Sequence, residues 1–231
     1  MSVVSRGDLI QAFVSLVVTL LLMGAALFLS AGTIRWVHGL SFMAVFLFLT
    51  LVAMAWLWRV NPEIFVARRR LTGRGTKGWD LMLVFILLGS FLATLIVAGL
   101  DDGRFRWAPA PPWAVLVGYV LLLAGYLGTG WAQAVNRHFE PSVRIQSDRD
   151  HHVIATGPYA YVRHPGYIFG SVLTFGGALA LGSLWALLPA VLVVVVLVIR
   201  TILEDATLQR ELSGYAEFAV RTRYKWIPGI W

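Results

Sequence analysis

The run YIFGSVLTFGGALALGSLWALLPAVLVVVVLVI, residues 167–199, holds no charged side chain in 33 residues. A membrane-spanning helix needs about 20 apolar residues, so this run is longer than one span and shorter than two full ones. Gly182-Ser183 and Pro189 lie near its middle, where they favour a turn. The run therefore predicts a tight helical hairpin in a membrane, with two short or tilted arms.

The rest of the chain extends this membrane pattern. It is 58% hydrophobic and 13% charged, unlike a soluble globular domain. We predict an all-α integral membrane protein with about six transmembrane segments, a cytoplasmic helical tail and one domain over residues 1–231. Residues 1–135 supply four helices, and residues 136–231 carry the polar segments and the hairpin. The four earlier apolar runs are Leu9–Leu29, Leu40–Trp58, Leu81–Leu100 and Trp113–Val135.

Basic residues are distributed unevenly over the predicted loops. Sixteen of the nineteen lysines and arginines fall on one side, and Arg35, Arg104 and Arg106 fall on the other. Because positive charge favours the cytoplasmic side, both termini and the tail are predicted to be cytoplasmic, in a protein of the cell inner membrane. We assign the net charge of +7 to contacts with membrane phospholipids and predict no nucleic-acid partner.

A polar, aromatic segment, His151–Tyr167, directly precedes the hairpin and holds three of the five histidines. Tyrosine and proline rings offer flat apolar walls, while imidazole and guanidinium groups offer hydrogen-bond donors in fixed directions. This mixture suits a flat heterocycle joined to a charged group, as in a nucleoside-type cofactor. The residues alone fit equally well with lipid-headgroup contacts by Arg163-His164 and with interfacial tyrosine anchors.

Two acids, Glu204-Asp205, lie at the end of the last apolar run, in a polar tail that is predicted to be helical to about Thr222. Such a pair is often solvated, but a carboxylate here can accept hydrogen bonds from ribose hydroxyls or pair with an amino group. No metal site is predicted, because His151, His152 and His164 lack a further ligand at suitable spacing. The glycine-rich stretch Gly125–Gly130 lies inside an apolar run, so it predicts close helix packing rather than a phosphate loop.

Four motifs together resemble the isoprenylcysteine carboxyl methyltransferase family, which is similar to the phospholipid N-methyltransferases. The resemblance runs from Phe139 onward and implies a membrane methyltransferase with S-adenosyl-L-methionine as cofactor and a lipophilic or lipid acceptor. The motifs are Gly157-Pro-Tyr-Ala-Tyr-Val-Arg-His-Pro-Gly-Tyr167, Glu204-Asp-Ala-Thr-Leu208, Leu212-Ser-Gly-Tyr215 with Phe218, and Arg223-Tyr-Lys-Trp-Ile-Pro228.

The resemblance also implies roles for individual residues. Glu204 and Asp205 would hold the polar end of the cofactor, Arg163 and Arg223 would lie near the acceptor, and Glu204 or His164 would take a proton from an amine acceptor. The chain departs from the family where Asp205 replaces a glutamate and Phe218 a tyrosine. The implied cofactor-pocket residues are His151, Gly157, Tyr159, His164, Pro165 and Tyr167.

Two other functions stay open at this point. Sterol-type membrane reductases, which use a nicotinamide cofactor, have a similar Arg-His-Pro-x-Tyr motif, but Gly166 and Ser171 depart from their usual residues. A lipid-binding protein that has kept the fold without catalysis is the second alternative. The sequence leaves open the acceptor, the choice between O- and N-methylation, and the oligomeric state.

Overall fold

The computed structural model describes residues 6–67 and 72–231, and in this part of the chain the regular structure is helical, without a β-strand. A π-helical turn, Gly99–Phe105, extends the fourth helix, and short 3-10 turns lie at Ser147–Arg149 and Gly157–Ala160. The helices are α1 (Arg6–Ala31), α2 (Val37–Val60), α3 (Glu63–Ala67), α4 (Gly78–Ala98), α5 (Pro112–Val135), α6 (Pro165–Ala180), α7 (Leu187–Glu211) and α8 (Tyr215–Arg221).

Five of the described helices are long and apolar enough to cross a membrane: α1, α2, α4 with its π-helical turn, α5 and α7. The predicted sixth segment is α6, which has 16 residues and is shorter than a full span. It pairs with α7 as the predicted hairpin. Gly182 adopts a left-handed φ of 79° in the connection, and the Ser183 hydroxyl accepts a hydrogen bond from the Ala186 backbone N–H.

The last long helix, α7, continues past the apolar run to Glu211. Glu204 and Asp205 therefore lie inside α7, and the helical tail predicted to about Thr222 is present as the end of α7 and as α8. The residues that follow are mostly good helix formers, so polarity alone does not end the helix. The chain turns instead at Gly214, which has a φ of 79°, and then enters α8.

Helices α5 and α6 meet backbone against backbone. A Cβ atom placed on Gly125 would lie 2.6 Å from the Leu173 Cβ atom, and one on Gly118 would lie 2.3 Å from the Ala180 nitrogen. On the opposite helix, a Cβ atom on Gly176 would lie 2.4 Å from the Leu122 nitrogen. The close packing predicted for the glycine-rich stretch is confirmed. It holds α6, which directly follows the polar segment, firmly against α5.

The polar segment and the tail lie at the same end of the helix bundle. The backbone N–H groups of Arg163 and His164 donate to the Tyr224 and Lys225 carbonyls at 2.9 and 3.0 Å. Lys77, just before α4, reaches Glu211 at 2.7 Å. The basic residues Arg68, Arg69 and Arg70, assigned to this end from the sequence, lie outside the described residues.

The opposite end of the bundle is closed by two buried aspartates. Asp102 accepts a hydrogen bond of 2.7 Å from the Trp36 indole and contacts the His38 ring at 2.7 Å. Asp101 accepts a 2.6 Å hydrogen bond from the Ser183 hydroxyl. These contacts join the α1–α2 connection, the end of α4 and the hairpin turn. The open cavity lies at the other end of the bundle.

Candidate functional site

A cavity of about 800 Å³ opens at the end of the bundle where the polar segment and the tail meet. This volume lies in the usual range for small-molecule and cofactor sites, about 300–1,000 Å³. Residues of α1 to α8 contribute to its wall, together with the connection 136–164. The cavity has one polar wall, one wall of imidazoles and an apolar arm between the helices.

The polar wall is built on Tyr167 and Glu204. The Tyr167 hydroxyl donates a hydrogen bond to the Glu204 carboxylate, which is partly exposed to the cavity. The His164 ring stacks on Tyr167 with ring centroids 5.6 Å apart and an interplanar angle of 11°. The Arg200 guanidinium lies 5.5 Å from the Tyr167 ring centroid, within range of a cation–π contact. The wall thus combines stacked flat rings with a carboxylate.

Asp205 points away from the cavity and organises the tail. Its side chain is almost fully buried and pairs with Arg163 through two hydrogen bonds of 2.8 and 3.0 Å. It also contacts His164 Nε2 at 3.3 Å and accepts hydrogen bonds from Gln209 at 2.8 Å and Tyr215 at 3.0 Å. Burial and the Asp205 charge raise the pKa of Tyr215 above its usual range.

Arg163 completes this connection to the tail. Its Nη1 atom donates to the backbone carbonyls of Ala219, Thr222 and Arg223 at 3.1 to 3.2 Å. The side chain is 9% exposed, so its charge is satisfied almost entirely inside the protein. The guanidinium therefore holds the end of α8 against the polar segment.

The imidazole wall is formed by three histidines. The rings of His138 and His151 lie 4.6 Å apart, and those of His138 and His152 lie 4.9 Å apart. Burial, followed by the nearby His151, lowers the pKa of His138 to about 4. Burial, followed by His152 and the arginines 144 and 149, lowers the pKa of His151 to about 4. Both rings are neutral near pH 7 and can donate or accept a hydrogen bond.

Ion pairs of buried arginines fix the segment that carries these histidines. Arg144 lies between Glu140 and Asp148, with nitrogen–oxygen distances of 2.7 and 2.6 Å. Asp80 of α4 pairs with Arg200 of α7 at 2.7 Å and accepts a hydrogen bond from the Val143 backbone N–H at 2.6 Å. The connection is thereby tied to two helices. Among the described residues, no group of three or more histidine or acidic side chains is placed to hold a metal ion.

The predicted site residues divide into two groups. Gly157 forms a turn with a φ of 58°, Pro165 begins α6, Asp205 faces the tail and the Arg223 side chain is exposed; none of these four lines the cavity. The other six line it together: His151, Tyr159, Arg163, His164, Tyr167 and Glu204. Their functional roles stay predictions.

The apolar arm was not predicted from the sequence. It extends from the polar wall between the helices and is lined by Phe46, Ala53, Met54, Leu87, Leu88 and Leu173. The sequence reasoning also missed His138, Gln133 and Arg200 as lining residues. Arg200 had a visible signal, because it is the first charge after the 33-residue apolar run.

The lining of the cavity combines charged and polar side chains with aliphatic and aromatic ones. Residues 113–213 match the phospholipid methyltransferase family. This family is related to the isoprenylcysteine carboxyl methyltransferases, so the resemblance predicted from the sequence is confirmed. With the five apolar helices, the match indicates a membrane methyltransferase.

The methyltransferase match begins at Trp113, near the start of α5, and not at Phe139, where the sequence placed the start of the resemblance. It spans α5, the polar segment, the hairpin and both acids of α7. The packed pair α5–α6 therefore belongs to the matched portion. No curated protein sequence matches the chain.

Proposed function

We propose that this protein transfers a methyl group from S-adenosylmethionine to a carboxylate or an amine of a lipophilic acceptor in the membrane. The observation that carries the proposal is the cavity, in which the Glu204 carboxylate and the stacked rings of His164 and Tyr167 adjoin an apolar arm. Such a chamber offers one part for a polar cofactor and another for an apolar chain.

The residues of the polar wall fit this cofactor. The ammonium group of its amino-acid end and its sulfonium carry positive charge, for which the half-buried Glu204 is a suitable partner. Its adenine is a flat heterocycle that suits Tyr159, His164 and Tyr167, while the neutral ring of His151 offers a hydrogen bond without repelling a cation. Bound here, S-adenosylmethionine would supply a methyl group already activated by the sulfonium.

The protein then has to orient the reactants and exclude water, which is a large part of catalysis when the transferred group is already activated. Tyr167 and Arg200 fix the position of this wall, since the first donates to Glu204 and the second is anchored by Asp80. A carboxylate acceptor needs no general base. An amine acceptor must first lose a proton, which Glu204 or His164 would accept.

The family match and the apolar arm indicate what kind of acceptor the cavity suits. The family is described as phospholipid methyltransferases, and the arm is lined by aliphatic and aromatic side chains that suit an acyl or isoprenoid chain. We therefore propose that the chain of the acceptor lies in the arm and that its head group lies beside Glu204. Deuterated methyl donor incubated with the purified protein and a lipid extract, followed by mass spectrometry, would identify the methylated product.

Binding of radiolabelled S-adenosylmethionine to the purified protein tests the proposal. We expect saturable binding that Glu204→Gln weakens at least tenfold, because one charge-assisted contact is worth about 1.5–3 kcal/mol. Glu211→Gln is the matched control, since Glu211 pairs with Lys77 outside the cavity. Binding of NADPH alone would instead support a reductase, and binding of neither cofactor would support a non-catalytic lipid-binding protein.

A further inference from the structure

Thr129 on α5 differs from most helical hydroxyl side chains in the described part of the chain. A serine or threonine inside a helix commonly donates to the carbonyl four residues before it. Ser90, Thr94, Ser171 and Thr201 all do so, at 2.7 to 2.9 Å. The Thr129 hydroxyl is buried and has no hydrogen-bond partner within the described residues, and Thr129 lines the cavity. A buried polar atom without a partner indicates a missing ligand or water.

Gln133 lies one turn away on the same face of α5 and also lines the cavity. Gln133 is 8% exposed, and its backbone carbonyl accepts a 2.6 Å hydrogen bond from the Asn61 side chain. Its side-chain amide lies on the same cavity wall as the Thr129 hydroxyl. An amide and a hydroxyl that has no partner within the described residues are thus adjacent on this wall.

The packing of α5 on α6 shows how deep in the cavity the Gln133 amide and the Thr129 hydroxyl lie. Gly125 faces Leu173 and Gly128 faces Phe169, so the two helices run antiparallel in a fixed register. This register places Gln133 about level with Pro165, beside the polar wall. Thr129 lies about 6 Å deeper at 1.5 Å per residue, towards the apolar arm.

The chemistry of this position selects the ligand group. A phosphate or an ammonium group would need an opposite charge here, and Gln133 and Thr129 have none. An acyl carbonyl needs only donors, and the amide N–H₂ and the hydroxyl supply them. We propose that Gln133 and Thr129 bind the ester or amide carbonyl of the acceptor, at the point where its polar head joins its apolar chain. This inference rests on the proposed function, because it assigns the acceptor part of the same cavity.

A pair of lipids that differ only in this carbonyl tests the inference. Dioleoyl phosphatidylethanolamine and its dialkyl ether analogue would be titrated against the purified protein, with bound lipid counted by native mass spectrometry. We expect the ester lipid to bind about tenfold more tightly, as for one buried hydrogen bond. Gln133→Met and Thr129→Val should remove the preference, whereas Thr129→Ser should retain it.

Two further measurements separate this inference from the proposed function. Thr94→Val is the matched control, because its hydroxyl is buried and bonded outside the cavity. S-adenosylhomocysteine binding should be unchanged in all four variants and reports on folding of the cofactor site. Equal binding of the two lipids, no binding of either, or a preference that survives both Gln133→Met and Thr129→Val would overturn the inference, whereas failure of the wild-type protein to bind S-adenosylhomocysteine would instead contradict the proposed function.

Discussion

Two adjacent carboxylates of α7, Glu204 and Asp205, have different surroundings. Successive helical residues point about 100° apart, so one acid faces the cavity and the other faces the tail. Glu204 remains partly exposed with Tyr167 as its donor, whereas Asp205 is buried among Arg163, His164 and Tyr215. The first is free to meet a ligand, and the second stabilises the fold around the site.

This difference predicts opposite effects for two isosteric substitutions. Asp205→Asn leaves the buried Arg163 guanidinium without its counter-charge, so we expect it to lower the free energy of unfolding by about 3 kcal/mol. Glu204→Gln should change that free energy by less than about 1 kcal/mol and weaken cofactor binding instead. Denaturant titration in detergent micelles measures both. Equal destabilisation by the two variants would contradict the assignment.

The imidazole wall predicts that the folded protein loses stability in acid. The pKa values of His138 and His151 are about 4 in the folded protein, below the ordinary value near 6.5, so between these values the unfolded chain binds more protons. Stability should therefore fall as the pH drops from about 6.5 towards 4 and should not depend on these groups above pH 7. Melting temperatures measured over this range check the sign.

The double variant His138→Gln/His151→Gln should flatten that pH dependence. Thr94→Val, which changes no titratable group and lies outside the cavity, serves as the control and should leave the curve parallel to that of the wild-type protein. A double variant with an unchanged slope would show that other groups cause the loss.

For single residues, the sequence predicted the chemistry of the site better than the direction in which each side chain points. Tyr167, His164 and Glu204 were predicted to share a site because their residue types suit a charged heterocyclic ligand, and they line one cavity. The division of labour between Glu204 and Asp205 was not predicted, since it depends on where α7 ends. Arg163 was expected near the acceptor, yet its hydrogen bonds go to Asp205 and to tail carbonyls, which no local pattern reveals.

Among the elements, the contact between α5 and α6 determines how the site is held. Glycines replace side chains along the interface, so the two backbones approach closely and the polar connection between the helices has fixed ends. The long non-local connection folds back over the helices because its arginines pair with acids on neighbouring elements, such as Glu63 on α3.

This interface predicts the cost of adding one methyl group. Gly125→Ala would place a Cβ atom 2.6 Å from the Leu173 Cβ atom and 2.7 Å from its backbone, which cannot rotate away. We expect a loss of about 1–3 kcal/mol in unfolding free energy, as for other overpacked positions. Gly89→Ala on α4 has no atom within 4 Å and should be neutral or stabilising. Similar stabilities of the two variants would contradict the packing argument.

Helix positions were largely predictable, because the length of each uncharged run sets the length of each membrane segment. The ends of α2 and α5 follow those runs closely. The cavity between the helices was not predictable, because it depends on packing between residues that are distant in the chain. Asp80 and Arg200, for example, are 120 residues apart and meet at 2.7 Å.

For the whole molecule, the two ends of the bundle have different characters. One end carries the cavity, the polar segment and the tail, while the other is closed by Asp101 and Asp102. The distribution of basic residues predicts that the cavity end faces the cytoplasm.

The absence of cysteine makes this orientation directly testable. A single cysteine at Ser213→Cys, in the exposed turn before α8, should react with a membrane-impermeant maleimide only after the membrane is opened. A single cysteine at Arg35→Cys, exposed at the opposite end, should react in intact cells. Labelling in the reverse pattern would place the cavity outside the cytoplasm.

The glycine-lined interface between α5 and α6 also determines which wall of the cavity can move. At this interface the two backbones pack closely, with Leu173 and Phe169 against the glycines, and the neighbouring α4 and α7 are joined by the Asp80–Arg200 pair. We therefore expect the exchange of a bulky ligand to be accommodated by α1 to α3, which carry neither of these contacts.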